Sequence, residues 1–354
     1  MNCEIKMIKL KVLHICEEDQ ATAHQRVLAF RAFECFEYTN CFHTRLNEKK
    51  NIFKKLLLSF FHKFHFQIDI RNINKEIVDM VSNKNFDIVF IEKCFFLKPS
   101  TLRFIKERNC ETRLICYILD DFLGKGNKSI LFNYCIPLYD IIATNKRHNL
   151  IEYYAKKAQR VYYFKNGYSF DFHRPIIDLD THDDTYRSEV AFIGTYTKDR
   201  ADILNFLASN GIEIKVWGWG RKIGKDGFRN SLLINMNKHV YLDEFAKVVS
   251  STKINLNFLR KSNRDTETTR SVEIPACGGF MIAEKTKEHI ELFSEDNEAV
   301  YFSSKEELLL KIKYYLANDD LRNKIANSGR KKCVDLKLDY GSQISRIIES
   351  SVNC

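Results

Sequence analysis

The stretch that decides the fold is Asn263–Glu284, NRDTETTRSVEIPACGGFMIAE, about three-quarters of the way along a 354-residue chain. A polar run (Asn263, Arg264, Asp265, Thr266, Glu267, Thr268, Thr269) leads through Arg270 and Glu273 to Gly278-Gly279 and the apolar run Phe280-Met281-Ile282-Ala283. This pattern predicts a loop, a short helix and a buried strand. Thr268 or Thr269 is the candidate N-cap, Gly278 or Gly279 the left-handed stop, and four consecutive apolar residues suit a parallel strand covered on both faces. The N-terminus of such a helix attracts anions through its free N–H groups and its dipole, and Arg270 adds a guanidinium fork that matches phosphate oxygens. Glu273 would repel an anion, so it needs another partner. A carboxylate accepts hydrogen bonds from a vicinal diol, which makes the ribose beside a nucleotide's phosphates the natural one. Pro275 inside the helix costs about 3 kcal/mol, and a local rule broken beside a candidate site points to function. The competing reading is a capped surface helix with an incidental charge pair.

Around this stretch, the length suits two domains of about 150 to 200 residues each. A hydrophobic content of 45% with 29% charged residues is that of a globular chain, not a disordered one. Lys plus Arg exceed Asp plus Glu by 56 − 46 = 10, so an anionic partner is expected: nucleotide phosphates, a membrane surface or nucleic acid. The eleven cysteines are scattered, odd in number, and show no spacing for a zinc site, which reads as free thiols in a reducing cytosol. The N-terminal MNCEIKMIKLKVLHIC runs into a strand without a signal-peptide core, and no run of about 18 apolar residues appears, so a cytoplasmic location is expected.

In order, the strands expected are Leu10–Ile15, Asp87–Glu92, Arg113–Leu119, Asp140–Thr144 and Arg160–Phe164, alternating with helices. No G-x-G-x-x-G follows the first of them, which argues against an ordinary dinucleotide-binding half and against a nucleotide-sugar epimerase. The pattern stops at HRPIIDLDTHDDTYRS, a proline- and acid-containing linker over 173–188. A second alternating series follows: the strand Val190–Gly194, a helix from Asp199 to Ser209, the strands Glu213–Trp217 and His239–Leu242, a helix from Asp243 to Ser251, and the strand Ile254–Leu259. The opening stretch comes next, then a strand at Val300–Ser303 and terminal helices. The expectation is α/β, with two Rossmann-like parallel-sheet domains at 1–172 and 189–335 and a C-terminal helix over 336–354 that packs back on the first domain.

The segments FIGTYTKDRADIL, VWGWG, STKINLNFLRKSNRDTETTRSVEIPACGGFMIAE and LANDDLRNKIANSGRKK resemble the C-terminal domain of CgeB-like (spore-maturation type) glycosyltransferases, within the group-1 enzymes of GT-B fold. The likeness covers about Val190 to Lys332; the N-terminal half, with KVLHI, FDIVFIE and YILDD, is similar more weakly. Asp265 and Glu273, with seven residues between them, are similar to the E-x7-E element of the retaining members, in which the second acid binds the donor's ribose and the first faces the transferred sugar. The resemblance implies a nucleotide-sugar donor held by the C-terminal domain, an acceptor held mainly by the N-terminal one, and transfer in the cleft between them without a metal or other cofactor. Asp265 is one methylene shorter than the family's acid, and Asp120-Asp121 replaces the HD pair of related enzymes.

Candidate catalytic residues are therefore Asp265, Asp120 and Asp121, the last two read as an acceptor or donor-sugar contact, a metal pair, or a helix cap with a solvent-facing neighbour. Candidate donor-binding residues are Gly194 and Thr195 at a βα turn, Arg200, Val240 and Tyr241 beside the base, Arg270, Glu273 and Gly278. Arg200 reads equally as an exposed helix arginine, and Tyr241 as core. His24 is an acceptor candidate. Trp217 and Trp219 point the same way by alternation, Trp217 into the core. Lys49–Phe66, KKNIFKKLLLSFFHKFHF, reads as a helix either packed on the core or lying on anionic lipid at the inner face of the membrane, as a lipid-linked acceptor would require. The function expected is transfer of a sugar to a hydroxyl of a glycan or lipid-linked acceptor in bacterial surface glycan or glycoconjugate synthesis, with no nucleic acid involved. The alternative is a non-catalytic sugar-nucleotide or glycan-binding protein on the same scaffold.

Overall fold

The computed structural model describes residues 9–17, 22–43, 65, 67–69, 71–124, 128–177, 184–220 and 228–352. Lys49–Phe66 lies, apart from His65, outside them. The chain divides into one unit of Met1–Lys165, Lys261–Arg264 and Tyr340–Cys354, and another of Asn166–Arg260 and Asp265–Asp339. Among the described residues no helix is long and apolar enough to cross a membrane.

In the first unit β1 (Leu10–Glu17), β2 (Phe36–His43), β3 (Ile88–Glu92), β4 (Arg113–Ile118), β5 (Ile141–Thr144) and β6 (Val161–Tyr163) form one parallel sheet in the order β2-β1-β3-β4-β5-β6. Every residue of β3 and β5 is buried, as expected of central parallel strands with both faces covered. Leu13, Ile15, Val89, Ile91 and Leu114 face one core with the helices Ile73–Asn83 and Pro99–Arg108. Val12, Ile88, Phe90 and Ile115 face the other, against Phe30 of the helix Thr22–Arg31 and a stripe on the C-terminal helix Tyr340–Val352. That stripe, Tyr340, Ile344, Ile347 and Ile348, has the i, i+4, i+7, i+8 spacing of an amphipathic helix. β2 escapes the sequence reading because Glu37, Thr39 and Asn40 interrupt its apolar run; as an edge strand with Glu37 exposed, it needs no continuous one.

In the second unit β7 (Ser188–Ile193), β8 (Ile214–Trp217), β9 (Leu233–Asn235), β10 (Thr252–Asn257), β11 (Met281–Glu284) and β12 (Val300–Phe302) are again parallel, ordered β12-β11-β10-β7-β8-β9. This is the classical doubly wound order, whose reversal of direction falls between β7 and β10. The strand expected at His239–Leu242 is instead Leu233–Asn235. Val240 is buried, but the segment is an extended approach to the helix Leu242–Ser250 and joins no strand. Trp217 and Trp219 are both buried yet face opposite cores, because Gly218 at φ +93° breaks the strand alternation between them.

The deciding stretch folds as a loop, the helix Arg270–Ala276 and β11. Gly278, at φ +74°, ends the helix by donating to Pro275 O at 2.8 Å. Pro275 is accommodated in the interior of the helix, and Gly329 of the helix Asp319–Asp335 lies against it: a Cβ there would come within 2.4 Å of Glu298 O and 3.5 Å of Pro275 Cβ. The expected threonine cap does not form. Thr269 holds the N-cap position in helical conformation without a side-chain bond, and Ser271 Oγ accepts the N–H of Thr268 at 3.0 Å instead.

Candidate functional site

Open α/β sheets bind ligands beyond the carboxyl ends of their strands, where the strand order reverses. In the second unit that place is bounded by Ile193-Gly194-Thr195 after β7 and by Asn257-Phe258 at β10. Gly194 donates to Trp217 O at 3.0 Å, and a Cβ on Gly218 would come within 2.7 Å of Gly194 O, so the two βα turns touch through bare backbone. The helix Lys198–Ser209 starts beside them with the positive end of its dipole.

Arg200 is no exposed helix arginine. It is 6% exposed and spans the switch point, Nη1 donating to Thr195 O at 3.0 Å and Nη2 to Phe258 O at 2.8 Å. Its guanidinium lies 5.5 Å from the Phe192 ring. Burial draws its pKa down, and the charge of Asp265 opposes this most strongly. Asp265 is partly buried, with Oδ2 accepting from Arg260 N at 3.2 Å.

Arg270 reaches the same strand end, with Nε donating to Ile193 O at 3.4 Å, its guanidinium 4.3 Å over the Phe245 ring, and Nη1 bonded to Glu273 Oε2. Among the described residues the N–H groups of Thr269 and Arg270 meet no acceptor, whereas those of Ser271, Val272 and Glu273 are already bonded to Thr268 or Thr269. Glu273 is 1% exposed and is also faced by His173, whose Nε2 lies 4.0 Å from Oε1. His173 Nδ1 accepts from Ser169 N at 3.0 Å, which leaves the ring proton on Nε2, directed at the carboxylate. Burial pushes the His173 pKa down to about 4, and Glu273 only partly offsets it. His173 stands in the expected linker, where a histidine two residues before Pro175 gives no periodic or motif signal. Gly278 has its open side filled by Pro175, whose Cγ would stand 3.2 Å from a Cβ there, so the structure gives this candidate a packing role. Val240 is buried in the core, while Tyr241 is 47% exposed and stacks parallel on His239 at 6.1 Å.

In the first unit Asp121 is 1% exposed and fully engaged. It accepts from Gly124 N at 2.9 Å, Asn149 Nδ2 at 3.2 Å and Arg264 Nη2 at 2.9 Å, and its own N–H donates to Asn263 Oδ1 at 2.9 Å. Burial would raise its pKa, but bonds from His148, Arg264 and Asn149 hold the carboxyl well below the usual carboxylate range. Arg264 also forks onto Glu152 at 2.7 and 2.9 Å. Asp120 faces Lys93 Nζ at 3.1 Å. The pair therefore ties down the 261–264 segment, and Asp121 has little acceptor capacity left for a substrate. His24, the acceptor candidate, lies in the first turn of the helix Thr22–Arg31 and is partly exposed.

Sequence reasoning missed a cluster in this unit whose His14, Arg26 and Glu92 are buried and whose Tyr38 is partly so. Arg26 forks onto Glu92 at 2.7 and 2.6 Å, His14 Nε2 stands 3.0 Å from Glu92, and His14 Nδ1 is 2.9 Å from the Tyr38 hydroxyl. A histidine inside a first strand and an acid ending another, both among apolar residues, were the available signals.

Residues 200–348 match the model of the glycosyl transferase-like family. A search of curated proteins by sequence finds no match. Among solved structures the chain is similar to Anabaena HepE in complex with UDP-glucose (TM-score 0.66, 11% identity, 98% of this chain and 100% of that one). It is likewise similar to sucrose-phosphate synthase from Thermosynechococcus elongatus (TM-score 0.67, 10% identity, 97% and 99%) and to a glycosyltransferase from Rickettsia africae (TM-score 0.66, 13% identity, 98% and 100%). The fold is GT-B, as in these neighbours, and the glycosyl transferase-like match covers residues 200–348 of it.

Proposed function

We propose that this GT-B glycosyltransferase moves a sugar from a nucleoside-diphosphate sugar to a hydroxyl acceptor, with the donor held by the second unit. The observation that carries the reading is Arg200, a buried cation at the β7/β10 switch point that bonds only main-chain and hydroxyl oxygens of its own unit. A buried positive charge there, with no carboxylate among the described residues in ion-pair contact with it, suits a diphosphate. HepE, a neighbour in fold, binds UDP and UDP-glucose, which agrees with this choice of ligand.

In the mechanism proposed, Arg200, Arg270 and the free amides at Thr269 and Arg270 face the diphosphate, whose charge grows as the glycosidic bond breaks; fixed donors aimed at developing charge lower the barrier. Glu273, held by Arg270 and His173, has about four lone-pair sites and so keeps room to accept from a ribose diol. Asp265 orients the transferred sugar. Retention of configuration, independence of metal ions, and a glycan or lipid-linked acceptor in a bacterial surface glycan are parts of the same proposal. So is contact of Lys49–Phe66 with anionic membrane.

The test is calorimetric titration with UDP, UDP-glucose and a panel of other nucleotide sugars, followed by a donor-hydrolysis assay with and without EDTA. Micromolar binding of at least one donor and EDTA-resistant hydrolysis are expected. No binding by any donor would overturn the reading, and activity that vanished in EDTA and returned with Mn²⁺ or Mg²⁺ would overturn its metal-free mechanism.

A further inference from the structure

His289 plays no part in the site as described, yet it is wholly buried and every polar atom of its ring is committed. Its Nδ1 lies 2.7 Å from Glu284 O, a carbonyl that can only accept, so Nδ1 carries the proton and Nε2 is an acceptor. Ser271 Oγ, 2.7 Å from Nε2, must therefore donate its proton to the ring. That choice turns the lone pairs of Ser271 Oγ to two other donors, Thr268 N–H at 3.0 Å and Asn257 Nδ2 at 3.0 Å. Asn257, so oriented, presents Oδ1 to the Thr268 hydroxyl at 3.1 Å. One imidazole thus fixes the sense of every bond in a chain from β11 through the helix Arg270–Ala276 to the end of β10.

The histidine is itself held from three sides. Tyr301 in β12 stacks on its ring at 5.7 Å and donates its hydroxyl to His289 O at 2.7 Å. Thr286 caps the short helix Lys287–Leu292 by accepting from His289 N at 3.1 Å, and donates to Thr266 O at 2.7 Å in the same loop. The loop from Thr266 to Ser271, which leads into Arg270 and Glu273, is therefore pinned at both ends by one rigid element. A buried polar network rigidifies what it holds only when each member is satisfied.

We propose that His289 is a positioning residue for the donor site. Acting through Ser271, it sets the conformation of the Thr268–Arg270 turn and so the aim of the Arg270 guanidinium and the two free amides. This role rests on the donor reading above. The test compares the full-length wild type with Ser271→Ala, His289→Leu and His289→Gln. Hydrogen–deuterium exchange over residues 265–273 is measured without ligand, and UDP and UDP-glucose are titrated by calorimetry. Ser271→Ala and His289→Leu should each speed exchange in this segment and raise Kd about 10-fold, the worth of one net buried hydrogen bond. His289→Gln, which keeps an acceptor near the Nε2 position, should stay within about threefold of wild type. A variant carrying both Ser271→Ala and His289→Leu should be little worse than either single one, as for residues acting through one chain.

Unchanged exchange and Kd in His289→Leu would overturn the role, as would a lower urea midpoint with both local readouts unmoved, since that marks packing alone. If His289→Leu does not fold, Ser271→Ala, which removes one oxygen atom, decides by the same two measurements. Failure of the wild type to bind either nucleotide would sink the donor reading and this role with it. Normal binding by wild type and variants alike would sink this role alone.

Discussion

Each sheet reverses its strand order beside its first strand, and in each a buried arginine from the following helix sits at that reversal. Arg26 in the first unit meets both oxygens of Glu92, with Tyr117 and Tyr340 beneath its guanidinium at 5.3 and 5.4 Å. Arg200 in the second meets the carbonyls of Thr195 and Phe258, and among the described residues no carboxylate lies within ion-pair distance of it. One fold position has been used twice, once with a carboxylate paired to the arginine and once with only carbonyl and hydroxyl oxygens around it. A buried charge without a carboxylate in direct contact is costly, which agrees with the ligand proposed for this strand-end crevice, whereas the Arg26–Glu92 pair is satisfied within the protein.

The sharpest way to break this comparison is to remove Glu92. Glu92→Ala strands a buried guanidinium and should cost about 3 to 5 kcal/mol in urea melts; a near-neutral result would mean that Arg26 is not neutralised by Glu92. Burial alone would raise the Glu92 pKa, but Arg26 and the bond from His14 bring it down to about 2 from an ordinary 4.5. The folded value is depressed, so this stability is present above about pH 4.5 and lost as pH falls towards 2.

Next in size is the acid sensitivity of the second unit. His173 titrates near 4 when folded against 6.5 unfolded, so the unfolded chain gains the proton first and stability falls as pH drops from 6.5 to about 4. The drop should reach roughly 3 kcal/mol, and His173→Gln should flatten it in urea midpoints taken across that range.

The arginines should then part company. Arg200→Met should weaken UDP binding by about 1.5 to 3 kcal/mol, the scale of charge-assisted bonds, with Glu273→Ala similar for the ribose. Arg26→Met should change stability and leave UDP affinity alone; equal losses of affinity in both would erase the distinction. Smallest is Arg270→Lys, for which about 1 kcal/mol of UDP affinity should disappear with the fork, as measured by calorimetry.

Most strands were legible because parallel strands buried on both faces are written as unbroken apolar runs: Ile88–Glu92 and Met281–Glu284 lie within a residue or two of their expected places. β2 and β9 were not, since one is polar-interrupted at an edge and the other is three residues long. Of the candidate site, Arg270 and Glu273 could be read as neighbours because three-residue spacing on a helix is local information. Their partners could not. His173 reaches Glu273 from a stretch that looks like linker, His289 meets Ser271 across 18 residues, and Arg26 meets Glu92 across 66. Such pairings exist only once the sheet order is set. The buried state of Arg200 was likewise hidden, because a helix sequence does not say which strand end its first turn overhangs.

The contact between the Gly194 and Gly218 turns limits how the protein can be re-engineered. A methyl group at 218 collides with the main chain of the neighbouring turn, and one at 194 meets the Phe192 ring at 2.6 Å, so mutant libraries seeking a new donor preference waste their members at these two positions. His239 and Tyr241, stacked on each other and exposed, carry no such backbone constraint. Diversity belongs on that pair, with the two glycines held constant.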